Sequence, residues 1–354
     1  MNRPLPFACL SSLALMLASS AFADAPSATP PPPPGLAITE AAKTGNGEWT
    51  YQSVPGWGQL PAGESWQPTH GSIAVDKAGN VYAATGSKSG ILVFKADGSF
   101  AGALRDDVQP NAGKPGATGF HCMVIREENG VEYLYGANLD AHDVRKLELP
   151  SGKCVLTIKA PKEDYKGGNW NCTGVAVAPD GSIFVTDGYG NSRIHKFDKD
   201  GKYLLSFAGR GGEDGKCVVC HTCAIDMRSG KPLLLVVDRE NRRLSHFDMD
   251  GKFVRHITLN LRRPCSVSFS PDNKHVAVAE LESRVTILDE HNVPVAFLGD
   301  NPNRGHWANY GVPPAQWKEA LFTAPHGVCF DKNNDIFVMD WNSTGRFSRL
   351  VRVK

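Results

Sequence analysis

The feature that most limits what this chain can fold into is a repeat about fifty residues long. One copy reads Ser72-Ile-Ala-Val-Asp-Lys-Ala-Gly-Asn-Val-Tyr-Ala-Ala84 and continues as Gly90-Ile-Leu-Val-Phe-Lys-Ala-Asp-Gly98. A second runs from Gly174-Val-Ala-Val-Ala-Pro-Asp-Gly-Ser-Ile-Phe-Val-Thr-Asp187 to Ser192-Arg-Ile-His-Lys-Phe-Asp-Lys-Asp-Gly201, and a third holds Leu234-Leu-Val-Val-Asp238 and Arg243-Leu-Ser-His-Phe-Asp-Met-Asp-Gly251. Weaker copies start at His121, Cys265 and His326. In each unit, alternating apolar residues make a short strand, and Asp-Gly, Ala-Gly or Asn-Asn makes a tight turn. The second strand ends near an acidic residue: Asp187, Asp238, Glu280 or Asp340. Four antiparallel strands per unit, repeated radially, make a propeller blade. Long helical periodicity is absent. The expected fold is an all-β, six-bladed β-propeller over 49–354, with inner strands opening near residues 71, 121, 173, 221, 265 and 326. The last copy runs out of chain after its third strand, so the segment Trp49–Val54 is expected to supply the missing outer strand and close the ring.

The segment before the repeats reads differently. Arg3, an apolar stretch from Leu10 to Ala18 and the small residues of Ala21-Phe22-Ala23 read as a cleaved signal peptide over 1–23. The apolar run is too short for a bilayer, which takes ~20 residues. The proline run Pro30–Pro34 makes 24–48 a spacer, since prolines lack a backbone donor and favour an extended conformation. The expected compartment is periplasmic or secreted, without membrane insertion. A net charge of +1 gives no electrostatic reason to expect a nucleic-acid partner.

Aligning the inner strands places chemistry. The leading residues are Gly71, His121, Thr173, His221, Cys265 and His326. Histidine falls on the second, fourth and sixth blades, which lie about 120 degrees apart around a six-bladed axis. Three imidazoles at one height converge on a point over the channel mouth. Three neutral histidine nitrogens with an open fourth position match the catalytic zinc arrangement. A histidine in a wet channel also simply hydrogen-bonds to a strand or to water; the phase of three favours the metal. The other eight histidines, His195, His246 and His256 among them, read as surface or packing residues. Long connections at 102–119, 209–220 and 299–325 each precede a histidine-bearing strand and are expected to wall the site.

The stretches Gly56-Trp57-Gly-Gln-Leu-Pro-Ala-Gly63, Asp187-Gly-Tyr-Gly-Asn-Ser-Arg-Ile194, Asp238-Arg-Glu-Asn-Arg-Arg243 and Pro325-His326-Gly327 resemble NHL-repeat propellers. More narrowly, they resemble the peptidyl-α-hydroxyglycine α-amidating lyase family. The resemblance implies a zinc ion on His121, His221 and His326, and cleavage of a peptidyl-α-hydroxyglycine to a peptide amide and glyoxylate. Tyr189 and Arg239 match residues that line the family's site. A tyrosine beside a metal suits a general base, and an arginine holds a carboxylate through paired hydrogen bonds. Tyr189 as a packed turn aromatic and Arg239 as an ion-pair partner of Asp238 or Glu240 are the plainer readings. The chain also departs from the family. Ala83-Ala84-Thr85-Gly86 stands where the family carries an arginine, Ala324 where it has a methionine, and Gly327 where it has an aspartate associated with calcium. Zinc is therefore the expected metal and calcium is not. The substrate is expected to be a small or peptide-like molecule with hydroxyl and carboxylate groups. A non-catalytic propeller binding a protein, glycan or metal is the alternative.

Nine cysteines include Cys9 of the leader, which leaves eight in the body, and an oxidising compartment permits disulfides. Cys217-Val-Val-Cys220-His221 is also the pattern of c-type haem attachment, with His70 as a possible further ligand. Because that reading needs His221, it competes with zinc, and the phase of His221 with the other strand starts favours zinc. Cys122 and Cys265 are the residues to suspect in a thiolate site for a softer metal such as copper(I).

Overall fold

A computed structural model describes residues 40–87, 89–104, 119–162, 165 and 170–353. The leader over 1–23, the spacer up to residue 39 and most of the 102–119 connection lie outside the described residues. Six antiparallel sheets follow one another along the chain. Their inner strands are Thr69–Val75, Phe120–Glu128, Gly174–Val177, Cys220–Asp226, Pro264–Phe269 and Pro325–Phe330. Each inner strand packs against those of the blades before and after it, and the sixth packs back on the first. The sheets therefore form a closed six-bladed propeller.

Closure comes from the start of the described chain. Trp49–Ser53 pairs antiparallel with Arg346–Arg352, as the strand count demands. Lys43–Asn46, within the segment read as a spacer, adds a fifth strand beyond it. Apolar alternation on both blade faces gives one buried cluster at each blade interface. Tyr135, Ala137 and Val144 of the second blade, for example, meet Val175, Ile183 and Phe197 of the third. The acidic residues ending the second strands serve structure. Asp238 accepts from Arg243 Nε at 2.8 Å and from the Val218 amide at 2.7 Å, and Glu280 pairs with Arg284. These buried pairs tie each second strand to the next strand or to the incoming loop, satisfying groups that would otherwise be costly to bury.

One local device recurs where the inner strands begin. Pairing jumps from Phe120↔Asn138 to Cys122↔Ala137, from Cys220↔Asp238 to Thr222↔Val237, from Pro264↔Glu280 to Ser266↔Ala279, and from Pro325↔Asp340 to Gly327↔Met339. The unpaired extra residues are His121, His221, Cys265 and His326. A β-bulge re-aims the side chain of its extra residue, and here it does so at the same place in four blades. The first blade is more irregular: pairing runs from Thr69↔Thr85 to Ile73↔Ala83. The residue following the opening pair is thus His70, and Gly71, which the sequence alignment put in that role, lies one further on.

Candidate metal centre

The bulges bring four imidazoles together. Ring centroids of His121 and His221 lie 4.8 Å apart, those of His121 and His326 5.2 Å, and those of His221 and His326 4.6 Å. His70 packs 4.8 Å from both His121 and His326. It was not among the residues singled out for this site by sequence, because a one-residue offset assigned its place to Gly71. Two sets of donor atoms, His70 with His121 and His326, and His221 with Cys265 and His326, each lie within 4.8 Å of one another. This buried histidine cluster has the donor chemistry to hold a metal.

The hydrogen bonds fix which nitrogens are free. Nδ1 of His121 is 2.6 Å from the Thr173 carbonyl oxygen, and Nδ1 of His221 is 2.6 Å from that of Cys265. A carbonyl only accepts, so each Nδ1 carries the proton and donates. Burial first, and then neighbouring histidine and Arg239 charge, hold His121, His221 and His326 well below the ordinary imidazole value. With Nδ1 donating, Nε2 of His121 and of His221 is the acceptor atom of each ring, and the depressed values favour the neutral form. An outer hydrogen bond that sets the tautomer and orients the ring is the usual support for a metal-binding imidazole.

Tyr189 follows the second strand of the third blade, and its hydroxyl reaches across the channel mouth. The oxygen lies 3.0 Å from Nε2 of His221 and 3.3 Å from Nε2 of His121. Arg239 Nη1 donates to the same oxygen at 3.1 Å, and its guanidinium lies over the Tyr189 ring. Burial raises the phenol above its usual value, with Arg239 acting in the opposite direction. Arg239 Nε also donates to Glu240 at 2.8 Å, so the ion pair read from sequence is present beside the bond to Tyr189. Arg263 Nη2 binds the same Glu240 oxygen at 2.8 Å.

The wall and floor follow from the loops and the channel. The connection 299–325 brings Tyr310 against Trp341, which in turn packs toward His70. Below the histidines the channel is lined by Cys122, Met123, Cys223 and Val328. Thr85 stands where the family resemblance called for an arginine, and its hydroxyl is tied to Ser87 at 2.8 Å. Gly327 has no room for the expected aspartate, because a Cβ there would overlap the Gly71 carbonyl.

The cysteines differ from expectation. All eight from Cys122 to Cys329 are free thiols, so the disulfides expected from the sequence are not seen among the described residues. Cys217 and Cys220 are buried among Phe184, Ile194, Leu234 and Phe247. Their sulfurs lie in packed interior between the third and fourth blades, where a haem edge has no access. His221 meanwhile points into the imidazole cluster.

Comparison with known proteins agrees with this architecture. The NHL repeat family model matches residues 169–197. A Caenorhabditis elegans protein named "Probable peptidyl-alpha-hydroxyglycine alpha-amidating lyase" is 34% identical over 134 residues, covering 36% of this chain and 36% of its own. The mouse peptidyl-glycine alpha-amidating monooxygenase is 41% identical over 125 residues, covering 33% of this chain and 13% of its own length. The chain thus spans about a third or less of those two relatives. Human NHL repeat-containing protein 3 is 28% identical over 263 residues, covering 71% of this chain and 72% of its own. Among solved structures, a streptogramin B lyase superposes with a TM-score of 0.55 at 15% identity, over 81% of this chain and 96% of that one. That last likeness is one of fold.

Proposed function

We propose that this NHL-repeat six-bladed propeller, distantly related to the amidating-lyase domains, is an exported, zinc-dependent lyase. Its substrate is a small or peptide-like molecule carrying a hydroxyl and a carboxylate. The observation that carries this reading is the Tyr189 hydroxyl, held between Nε2 of His121 and Nε2 of His221 and braced by Arg239. His121, His221 and His326 hold the metal; a bound zinc supplies Lewis acidity and lowers the pKa of groups beside it. Arg239 takes the substrate carboxylate by paired hydrogen bonds. Tyr189, with its own proton lost to solvent once a bound zinc lowers the phenol's pKa, would take the proton of the substrate hydroxyl. As the C–N bond of an α-hydroxyglycine breaks, the carbinol carbon becomes the aldehyde of glyoxylate, and the leaving amide nitrogen would take that same proton from Tyr189, which regenerates the base.

Metal analysis of protein purified from an oxidising compartment, joined to turnover of an α-hydroxyglycine peptide, tests this. One zinc per chain, lost in His121→Ala, His221→Ala and His326→Ala variants, with release of glyoxylate, supports it. Zinc without turnover rejects the reaction and leaves the site. One specific feature favours a second reading, a propeller that binds without cleaving: Ala83–Gly86 supplies no guanidinium opposite Arg239.

A further inference from the structure

The ring of leading residues contains one sulfur. Cys265 opens the fifth blade as the extra residue of its bulge, in the position that His121, His221 and His326 hold in theirs. Its side chain is fully buried and packs against Leu281 and Ala324. Its Sγ lies with one ring nitrogen each of His221 and His326 in a set of donors within 4.8 Å of one another. The residue touches the centre a second time through its backbone. Its carbonyl oxygen accepts Nδ1–H of His221 at 2.6 Å and the Thr222 hydroxyl at 2.8 Å. The thiol lies 3.7 Å from the Arg263 carbonyl and also meets the Arg239 side chain.

We propose that Cys265 is a sulfur ligand of the metal, binding beside His221 and His326, the two of the three proposed zinc histidines that share a donor set with its Sγ. This rests on the metal-site reading above. On binding, the S–H bond is exchanged for a metal–sulfur bond and the thiol proton leaves to solvent, so loading releases one proton per chain from this residue. Burial pushes the Cys265 thiol up to about 12, and Arg239 beside it acts in the opposite direction. Thiolate and imidazole donors together select a borderline or soft metal over magnesium or calcium, which prefer oxygen. Cys122, the other cysteine suspected from sequence, lines the channel below with Cys223 and belongs to neither donor set.

The test uses the whole mature protein, stripped of metal and loaded with Co(II). Sulfur ligation gives an intense near-ultraviolet charge-transfer band beside the visible d–d bands of a low-symmetry site. The expected result is that Cys265→Ser keeps one cobalt and its d–d bands, loses the charge-transfer band, and binds zinc at least ~10-fold more weakly, a loss seen even for partners outside the coordination shell. A wild-type protein with d–d bands and no charge-transfer band overturns sulfur ligation and leaves the metal site intact. A band unchanged in Cys265→Ser also overturns it. Folded protein that takes up no cobalt overturns the metal site itself. X-ray absorption of the zinc-loaded wild type needs no variant: a sulfur shell at ~2.3 Å is expected, and a shell of nitrogen and oxygen alone overturns the proposal.

Discussion

The hydroxyl of Tyr189 lies 3.0 Å from Nε2 of His221, across the gap between the third and fourth blades. Since Nδ1 of His221 is committed to a carbonyl, that hydroxyl faces the one lone pair the ring has to offer. A metal drawn to the lone pair therefore arrives beside the phenol. Tyr189→Phe removes the proton carrier and keeps the ring that fills the mouth. The expected outcome is full zinc occupancy with kcat lowered by ~10²–10⁴-fold, the usual contribution of a positioned acid or base. Metal analysis and steady-state kinetics on the α-hydroxyglycine peptide check the pair of outcomes.

Arg239 carries the one guanidinium bonded to that phenol among the described residues, and Glu240 holds it in place. Arg239→Gln keeps a donor and loses the charge. A hydrogen bond to a charged group contributes ~1.5–3 kcal/mol, so KM for a carboxylate substrate is expected to rise ~10–100-fold. A substrate analogue with its carboxylate amidated is expected to bind wild type and variant alike. Competition assays with the two ligands measure the difference.

The blade count, the strand order and the closing role of Trp49–Ser53 were legible in the sequence, because alternation and Asp-Gly turns are local signals. The rings of His121, His221 and His326 do approach one another, but the three fall into two different donor sets rather than one. What aims them was not legible. A bulge inserts one residue into an alternating pattern, and in sequence that is indistinguishable from a shift in where the strand begins. The same ambiguity placed Gly71 in the position that His70 occupies. It also left Cys265 grouped with Cys122, although the bulge sends the first to the histidines while the second lines the channel. The free state of the cysteines depends on which blade interface each one enters, and spacing carries no record of that.

Gly327 shows a departure from the family that packing explains. It follows His326 in the bulge, and a side chain there meets the backbone of Gly71 in the adjoining blade. Gly71 itself has φ +94°, open to glycine and strained for other residues. Gly327→Ala is expected to destabilise the fold by ~1–3 kcal/mol, as overpacking does, and to weaken metal binding by displacing His326. Gly327→Asp is expected to lose more stability and to gain no calcium affinity. Urea unfolding in the presence and absence of each metal checks both.

Acid sensitivity of the metal-free protein follows from the same cluster. Burial, with Arg239 acting in the same direction, lowers His70 to about 4, and burial holds His121, His221 and His326 well below their ordinary value. The unfolded chain has histidines near ~6.5. Between those values the unfolded state binds more protons than the folded one, so stability rises with pH through that window. It is fully present above the unfolded value and is lost as pH falls toward the folded ones. Each such histidine adds a slope of up to about 1.4 kcal/mol per pH unit. His70→Gln removes one titrating group from the window without removing any of the three proposed zinc histidines. Chemical unfolding of the apo protein from about pH 7.5 to about pH 5 is expected to show a slope shallower by one proton in the variant. An unchanged slope would mean that His70 is already protonated in the folded state and lies outside the neutral cluster.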